Sequence, residues 1–489
     1  MTRITKKIFL TYTECPKLAW LTKRNLLSFE VDAASRLLQM ESANIHRMGR
    51  ETFGQGANAY DKDINTAYQN TQNFILKKTP LIFKAAFVSE DNFSTRIDVL
   101  RYQPQTAGLP EGWHLIEVKT ANKKKAKYIE DLAYSAMVIK RCGINLLSVS
   151  LMHLNKDYRK GEDFKNLFET HDVTESVFEK VANFEKMSSH IVSVVGAQEE
   201  PFATLKMKCK NCDVFKTCVG AGIENHIFDL PRIGIQTFCD LRDIGAEKIE
   251  DVPENFELNE LQQTVRNCVI ENKNYTSENL KDELEKIVYP VYYLDFESIA
   301  TALPLYDNIP PHGQIITQFS VHKQTAPQAP LEHFEYIADE TKNCAEIIAR
   351  KLIEIFEETG TITAYSNSEK VLILRLAKDF PEMSEQLKAI AERIIDLEII
   401  LRKNYYNLNF HGRTSIKKIL PVIAPEVNYE SLEIGEGAAA GAEFAFIAMG
   451  LYDAEKTTIT KKHLLEYCAQ DTLALAKIHG FLLKASQNL

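Results

Sequence analysis

Val291–Ser298 reads VYYLDFES. Five of its eight residues are apolar or aromatic, and all suit a pleated, buried strand. Asp295 and Glu297 stand two apart in it, so on a strand they share one face. Two like charges on the buried face of an apolar strand are costly unless cations neutralise them. The two runs that follow, QIITQFSVH (Gln314–His322) and LEHFEYIA (Leu331–Ala338), are further strand candidates, so a meander is expected. A helix is expected over Thr341–Glu358 and a strand over Ile362–Tyr365, with a mostly helical remainder. Near the end, YCAQDTLALAKI carries Tyr467 and Asp471 at i and i+4, on one helical face.

D-x-E in an apolar strand followed by Y-x3-D on a late helix resembles the DnaQ-like 3′–5′ exonucleases, the DEDD group in its Tyr-containing subtype. The resemblance implies an RNase H-like fold in which four carboxylates hold two Mg²⁺ or Mn²⁺ ions about the scissile phosphate. It also implies that the Tyr467 hydroxyl positions the attacking water. The middle acidic ligand falls in AYSNSEKVLIL, which follows a predicted strand and opens a helix. That makes Glu369 the candidate, where the family usually has Asp. Asp396, in RIIDLEIIL, lies where the family often carries a supporting Asp, and Glu369 is preferred over it as the direct ligand.

The first half holds a second constellation. STRIDVLRY places Asp98 mid-strand, where a carboxylate is otherwise disfavoured, and HLIEVKTA places Glu117 and Lys119 on one strand face. Two carboxylates and an ammonium converging on a sheet can hold Mg²⁺ or Mn²⁺, activate a bound water and stabilise phosphoryl charge. A salt bridge on a solvated strand is the plain alternative. D…ExK on adjoining strands before an amphipathic helix (Lys124–Cys142) resembles the PD-(D/E)XK nucleases, in their RecB-like branch. There a histidine on an early helix adds a metal ligand, and IHRMGRE supplies His46. The branch also carries a Gln and a Tyr on the helix after ExK. YIEDLAYSAMVIKRCG has Tyr134 as a catalytic candidate, but Ser135 stands where Gln is expected. Lys123, Lys124 and Lys125, with Lys127, form a basic run that could hold backbone phosphates or could simply be a solvated helix start.

CKNCDVFKTC puts Cys209, Cys212 and Cys218 within ten residues. Thiolates this dense ligate a soft metal centre, and C-x2-C often means zinc. A fourth ligand must come from elsewhere, and TECPKLAWL offers Cys15. One cysteine before a nuclease core and three after it resembles the iron–sulfur RecB-like nucleases, which implies a 4Fe–4S cluster on these four. Structural zinc remains the alternative.

Composition frames these sites. The 489 residues suggest roughly three domains, and 45% hydrophobic with 26% charged residues is ordinary globular composition. Lys+Arg 58 against Asp+Glu 67 gives a net charge of −9, so nucleic-acid contact must rely on local patches. No run of about 18 apolar residues is present, so no membrane partner is expected. Nine cysteines, an odd number, and an amino-terminus without a sustained apolar segment argue against a disulfide framework and for a cytoplasmic protein. The expected plan is an α/β nuclease domain over 1–222, a helical linker over 223–287 and an α/β exonuclease domain over 288–489. The expected activity is metal-dependent phosphodiester hydrolysis, with DNA preferred to RNA. The alternative is a single exonuclease served by a catalytically weak, cluster-bearing nucleic-acid-binding module at 1–222.

Overall fold

The structure is a computed structural model describing residues 3–27 and 31–487. The sequence over residues 1 to about 40 reads as helical; within that run residues 1, 2 and 28–30 lie outside the described residues. The chain divides into two compact units. One runs to Thr204 and includes Ala300–Gly313; the other comprises Leu205–Ile299 and the chain from Gln314 onward. Both are mixed α/β.

The first unit contains β1 (Ile4–Thr5), α1 (Lys6–Glu14), α2 (Pro16–Lys23), α3 (Ala33–Glu51), β2 (Ala57–Asn58), α4 (Ile64–Leu76), β3 (Leu81–Phe83), β4 (Ala86–Val88), β5 (Phe93–Arg96), β6 (Val99–Gln103), β7 (Gly112–Lys119), α5 (Ala126–Arg141), β8 (Leu146–Leu154), β9 (Phe168–Asp172) and α6 (Thr174–Gly196). Its main sheet has the order β2-β3-β6-β7-β8-β9, and β1-β5-β4 form a small second sheet. β7 and β8 are parallel, with α5 as the crossover that parallel strands require. Both sheet faces are covered. Leu115, Val149 and Leu151 pack with α5 and α6 residues such as Met137 and Val177. Ile116, Val118 and Met152 pack on the other side with Ile45 of α3.

Two runs whose sequence reads as strand, Leu81–Val88 and Ser94–Tyr102, each break in the middle. Lys84 adopts φ +51°, its N–H donates to the Asp98 carbonyl at 2.9 Å, and Ile97 N–H donates to Ala85 O at 2.9 Å. The hairpin therefore turns a corner, with β4 and β5 in the small sheet and β3 and β6 in the large one. Asp98 sits at that corner, not mid-strand as the sequence suggested.

The second unit contains α7 (Ile235–Asp243), α8 (Glu260–Glu271), β10 (Tyr275–Thr276), α9 (Leu280–Glu285), β11 (Val291–Ile299), β12 (Ile315–Gln324), β13 (Glu332–Ile337), α10 (Ala345–Ile355), β14 (Thr361–Ala364), α11 (Ser368–Asp379), α12 (Ser384–Glu392), β15 (Ile394–Asp396), α13 (Leu397–Asn404), β16 (Tyr405–Tyr406), α14 (Ile416–Ile423), α15 (Gly437–Ala448) and α16 (Ala454–Ser486). Its main sheet runs β13-β12-β11-β14-β15. The expected meander is present as antiparallel β11-β12-β13, and β14 and β15 continue parallel on the other side of β11. β11 is thus central, which its apolar run demands.

The segment 223–287 is not a linker in this fold. Ile227, Phe238, Leu241, Val265 and Leu280 are buried in one cluster with Tyr293, Leu401 and Leu475. Its Gly and Pro breaks separate short helices, and those helices present apolar faces that need a core to cover them. Among the described residues no helix is long and apolar enough to cross a membrane.

Candidate functional site

In the second unit, β11 and α16 meet over the sheet centre. One carboxylate oxygen each from Asp295, Glu297 and Asp471 lies within 4.8 Å of the others. A register shift between Glu297 and Ser298 interrupts the β11–β12 ladder beside them, the kind of bulge that re-aims a side chain. Burial, then repulsion from Asp471, Glu297 and Glu369, pushes the Asp295 carboxyl well above its usual range. Burial and the Asp471 charge push Glu297 up to about 8. Asp471 rises to about 6 through burial, opposed by a hydrogen bond from Tyr429 and by the Lys417 charge. Three acids that repel in a half-buried site are poised to accept cations.

Glu369 is buried in the first turn of α11, where the helix dipole suits a carboxylate, and Ser366 Oγ donates to it at 3.0 Å. Its charge reaches both Asp295 and Glu297. Asp396 instead caps α13, accepting from the N–H groups of Glu398 at 2.9 Å and Ile399 at 3.3 Å. Tyr467 is buried and hydrogen-bonds Asp471; burial and the surrounding carboxylates hold its hydroxyl protonated well beyond the usual range. The Tyr429 hydroxyl also donates to Asp471. Lys417 Nζ donates to Gly435 O at 2.5 Å and Glu436 at 2.7 Å and lies 5.5 Å from the Tyr429 and Tyr467 ring centres. Cys468, fully buried, directs its thiol at Asp295 Oδ2 at 3.7 Å. Sequence reasoning missed Lys417 and Tyr429. They come from segments with no motif, and only the tertiary fold brings them to α16.

In the first unit, Asp98, Glu117 and Lys119 do come together. His46 Nδ1 lies 2.9 and 2.8 Å from the two Asp98 oxygens, and Arg50 donates to Oδ1 at 2.9 Å. Asp98 Oδ2 accepts Val118 N–H at 3.0 Å, while Glu117 Oε2 accepts Asp98 N–H at 3.3 Å. Burial opposes the Asp98 charge, but His46, the Val118 N–H and Arg50 outweigh it and lower its pKa. Glu117 is lowered likewise, with Lys6 and Lys119 overcoming its burial. Lys119 Nζ donates to Glu117 at 3.2 Å and to Asp131; these two acids overcome burial and keep it charged. Lys6 bonds the same two acids at 3.2 Å each. Asp131 and Lys6 were not foreseen. Asp131 lies three residues before Tyr134, on one face of α5, and that spacing was the available signal.

Tyr134 has a different placement from the one its catalytic candidacy required. It is fully buried, and its hydroxyl donates to the carbonyls of Ile4 at 2.6 Å and Ser94 at 3.1 Å, fastening β1 to β5. Ser135 pairs with Thr95 Oγ1 at 2.9 Å in the same core. Lys123, Lys124 and Lys125 are exposed just before α5. Lys125 makes no side-chain cap, and cations at a helix N-terminus oppose the helix dipole, so these lysines do not stabilise α5.

Cys15 lies in the first unit, between α1 and α2; Cys209, Cys212 and Cys218 lie in the second, on a chain of tight turns. All four are half-buried and none is in a disulfide. Cys209 Sγ accepts Lys206 N–H at 3.4 Å, a contact suited to a thiolate ligand. The donor chemistry fits a soft metal; within the second unit, Cys209, Cys212 and Cys218 are not among the groups that converge within 4.8 Å among the described residues. Such a group does exist at His153, Glu169 and His171, which the sequence reading passed over.

A family described as "Domain of unknown function (DUF2779)" matches residues 292–415, a span that includes Asp295, Glu297 and Glu369. "Uncharacterized protein MG366 homolog" of Mycoplasma pneumoniae is 25% identical over 225 residues, 41% of this chain and 33% of its own length. "Uncharacterized protein MG366" of Mycoplasma genitalium is 24% identical over 230 residues, again 41% and 33%. The chain spans about a third of the length of these curated relatives.

Proposed function

We propose that this protein is a metal-dependent nuclease acting on nucleic acid in the cytoplasm, with DNA preferred to RNA. In this reading the second unit is an RNase H-like, DnaQ-type 3′–5′ exonuclease and the first a PD-(D/E)XK, RecB-like nuclease. The observation that carries it is the convergence of Asp295, Glu297 and Asp471 within 4.8 Å of one another, with Tyr467 hydrogen-bonded to Asp471 and the acids' pKa values raised by burial and mutual repulsion. These carboxylates, with Glu369, would hold Mg²⁺ or Mn²⁺, which supplies charge neutralisation and a more acidic water. Tyr467 would orient that water, and Lys417 would offset the excess negative charge beside it. At the first site His46, Asp98 and Glu117 offer ligands, while Lys119 keeps a charged ammonium for the phosphoryl oxygens. The exposed lysines before α5 would hold the backbone. Cys15, Cys209, Cys212 and Cys218 would carry the 4Fe–4S cluster, with zinc the alternative; iron counted in anaerobically purified wild-type and Cys212→Ser protein decides between them.

A second reading keeps the exonuclease and makes the first unit a binding module. It is favoured by Tyr134 and Ser135, whose hydroxyls are engaged in the core. End-labelled single- and double-stranded DNA and RNA, incubated with Mg²⁺ or Mn²⁺, test both. Each site rests on its own core, so Lys119→Ala should abolish one activity and Asp295→Asn the other. No Lys119-dependent cleavage of any substrate selects the binding module. No Asp295-dependent cleavage removes the exonuclease.

A further inference from the structure

The edge of the first unit's main sheet carries ligands that neither active site uses. β9 is the outermost strand beside β8. His153 on β8 is the direct antiparallel partner of Glu169 on β9, and His171 follows Glu169 by two residues, so all three share one sheet face. One donor atom from each lies within 4.8 Å of the others. The two imidazole rings stack at 4.9 Å between centres, inclined by 30°. His171 Nε2 lies 3.3 Å from Glu169 Oε2.

His153 decides how this group is read. It is 3% exposed, and its Nδ1 lies 2.9 Å from the Leu154 carbonyl oxygen. A carbonyl only accepts, so Nδ1 carries the proton and Nε2 is left with its lone pair. That arrangement, one ring nitrogen donating to a backbone carbonyl, fixes the tautomer in which the other can ligate a metal. A plain ion pair accounts for Glu169 and His171. It does not account for a buried imidazole stacked on them with its tautomer already set. Glu169 and His171 side chains are 37% and 32% exposed, which gives an ion an entry path and leaves a coordination position facing water.

We propose that His153, Glu169 and His171 form a further metal site, selective for a transition-metal dication that favours imidazole and carboxylate ligands, zinc foremost. His153 ligates through Nε2, the other two close over it, and water completes the set. Bound there, the ion clamps the edge strand β9 to β8. Because β8 is also the neighbour of β7, with His153 paired to Lys119, the clamp steadies the strand beside the Lys119 site. The inference stands whether or not the protein is a nuclease.

The full-length chain, stripped with a chelator and dialysed against buffered zinc, gives a metal count per chain. His171→Ala and Glu169→Gln alter partly exposed side chains and should bind one equivalent fewer than wild type, whatever the cysteines take. Zinc should also slow amide hydrogen exchange across Phe168–Asp172 in the wild type, a readout that needs no variant. Equal zinc counts in folded variants and wild type overturn the site. If neither variant folds, β9 exchange that zinc leaves unchanged in the wild type overturns it instead.

Discussion

Asp471 is approached by two phenols, and they need not do the same work. Tyr429 donates to it from outside the α16 helix; Tyr467 lies one turn before it on α16 and also feels Glu297 and Asp295. Tyr429 also feels Asp295, but the Tyr467 hydroxyl and the Glu297 carboxylate both lie beside Gly437, which makes Tyr467 the phenol that would orient the attacking water in the proposed mechanism. Tyr467→Phe keeps the ring and loses the hydroxyl, and single-turnover rates should fall roughly 10- to 1000-fold. Asp295→Asn should cost more, since it removes a full charge from the proposed metal site. Tyr429→Phe removes a hydrogen bond that lowers the Asp471 pKa, so the acid limb of the pH–rate profile should move to higher pH. A Tyr467→Phe protein as fast as wild type, with chemistry rate-limiting, would remove Tyr467 from the proposed mechanism. The residues found in sequence were those whose spacing is itself chemical: D-x-E on a strand and Y-x3-D on a helix. Tyr429 and Lys417 had no such spacing, because a contact made only by tertiary packing leaves no local period.

Elements show where local patterns stop being informative. Apolar runs located β11 and β12, which a sheet interior needs, while the edge strand β13 was legible from its alternating aromatic and polar residues. The corner at Lys84 and Asp98 was invisible because both halves of each run have strand composition, and only the pairing partners change. The segment 223–287 looked like a connector because its helices are short, yet its turns are fitted to the core. Gly412, at φ +69°, shows how closely: a Cβ there would stand 1.6 Å from the Asp229 carbonyl oxygen. Neither backbone can yield without moving α14 or the turn at 227–229. Gly412→Ala should therefore destabilise the second unit by about 3 kcal/mol, combining left-handed strain with a backbone clash. Urea unfolding followed by far-UV circular dichroism measures it. A free linker at 223–287 would leave the variant as stable as wild type.

Across the whole molecule, the two units carry acids with opposite responses to pH. In the first, Asp98 and Glu117 have lowered pKa values, so their stabilisation is present above the ordinary carboxylate range and lost as pH falls through it. In the second, Glu297 is raised to about 8, Asp471 to about 6 and Asp295 well above its usual value. Here the native state keeps protons that the unfolded chain has released. Unfolding then releases protons, and stability falls as pH rises from about 4 to about 8. Mg²⁺ or Mn²⁺ should replace those protons and restore stability most strongly near pH 8, because ligand bound only to the native state stabilises it by mass action. The sequence supplies a way to separate the two responses: both tryptophans, Trp20 and Trp113, belong to the first unit. In chelator, tryptophan fluorescence should report a first-unit transition that weakens only as pH falls below about 4. Far-UV circular dichroism should add a transition that weakens between pH 5 and 8 in chelator and strengthens on adding Mn²⁺. Asp471→Asn should flatten that second dependence without moving the tryptophan signal. A second-unit transition that grows more stable from pH 5 to 8 in chelator would mean that Asp295, Glu297 and Asp471 already have cationic partners, and the case for a metal between them would fail.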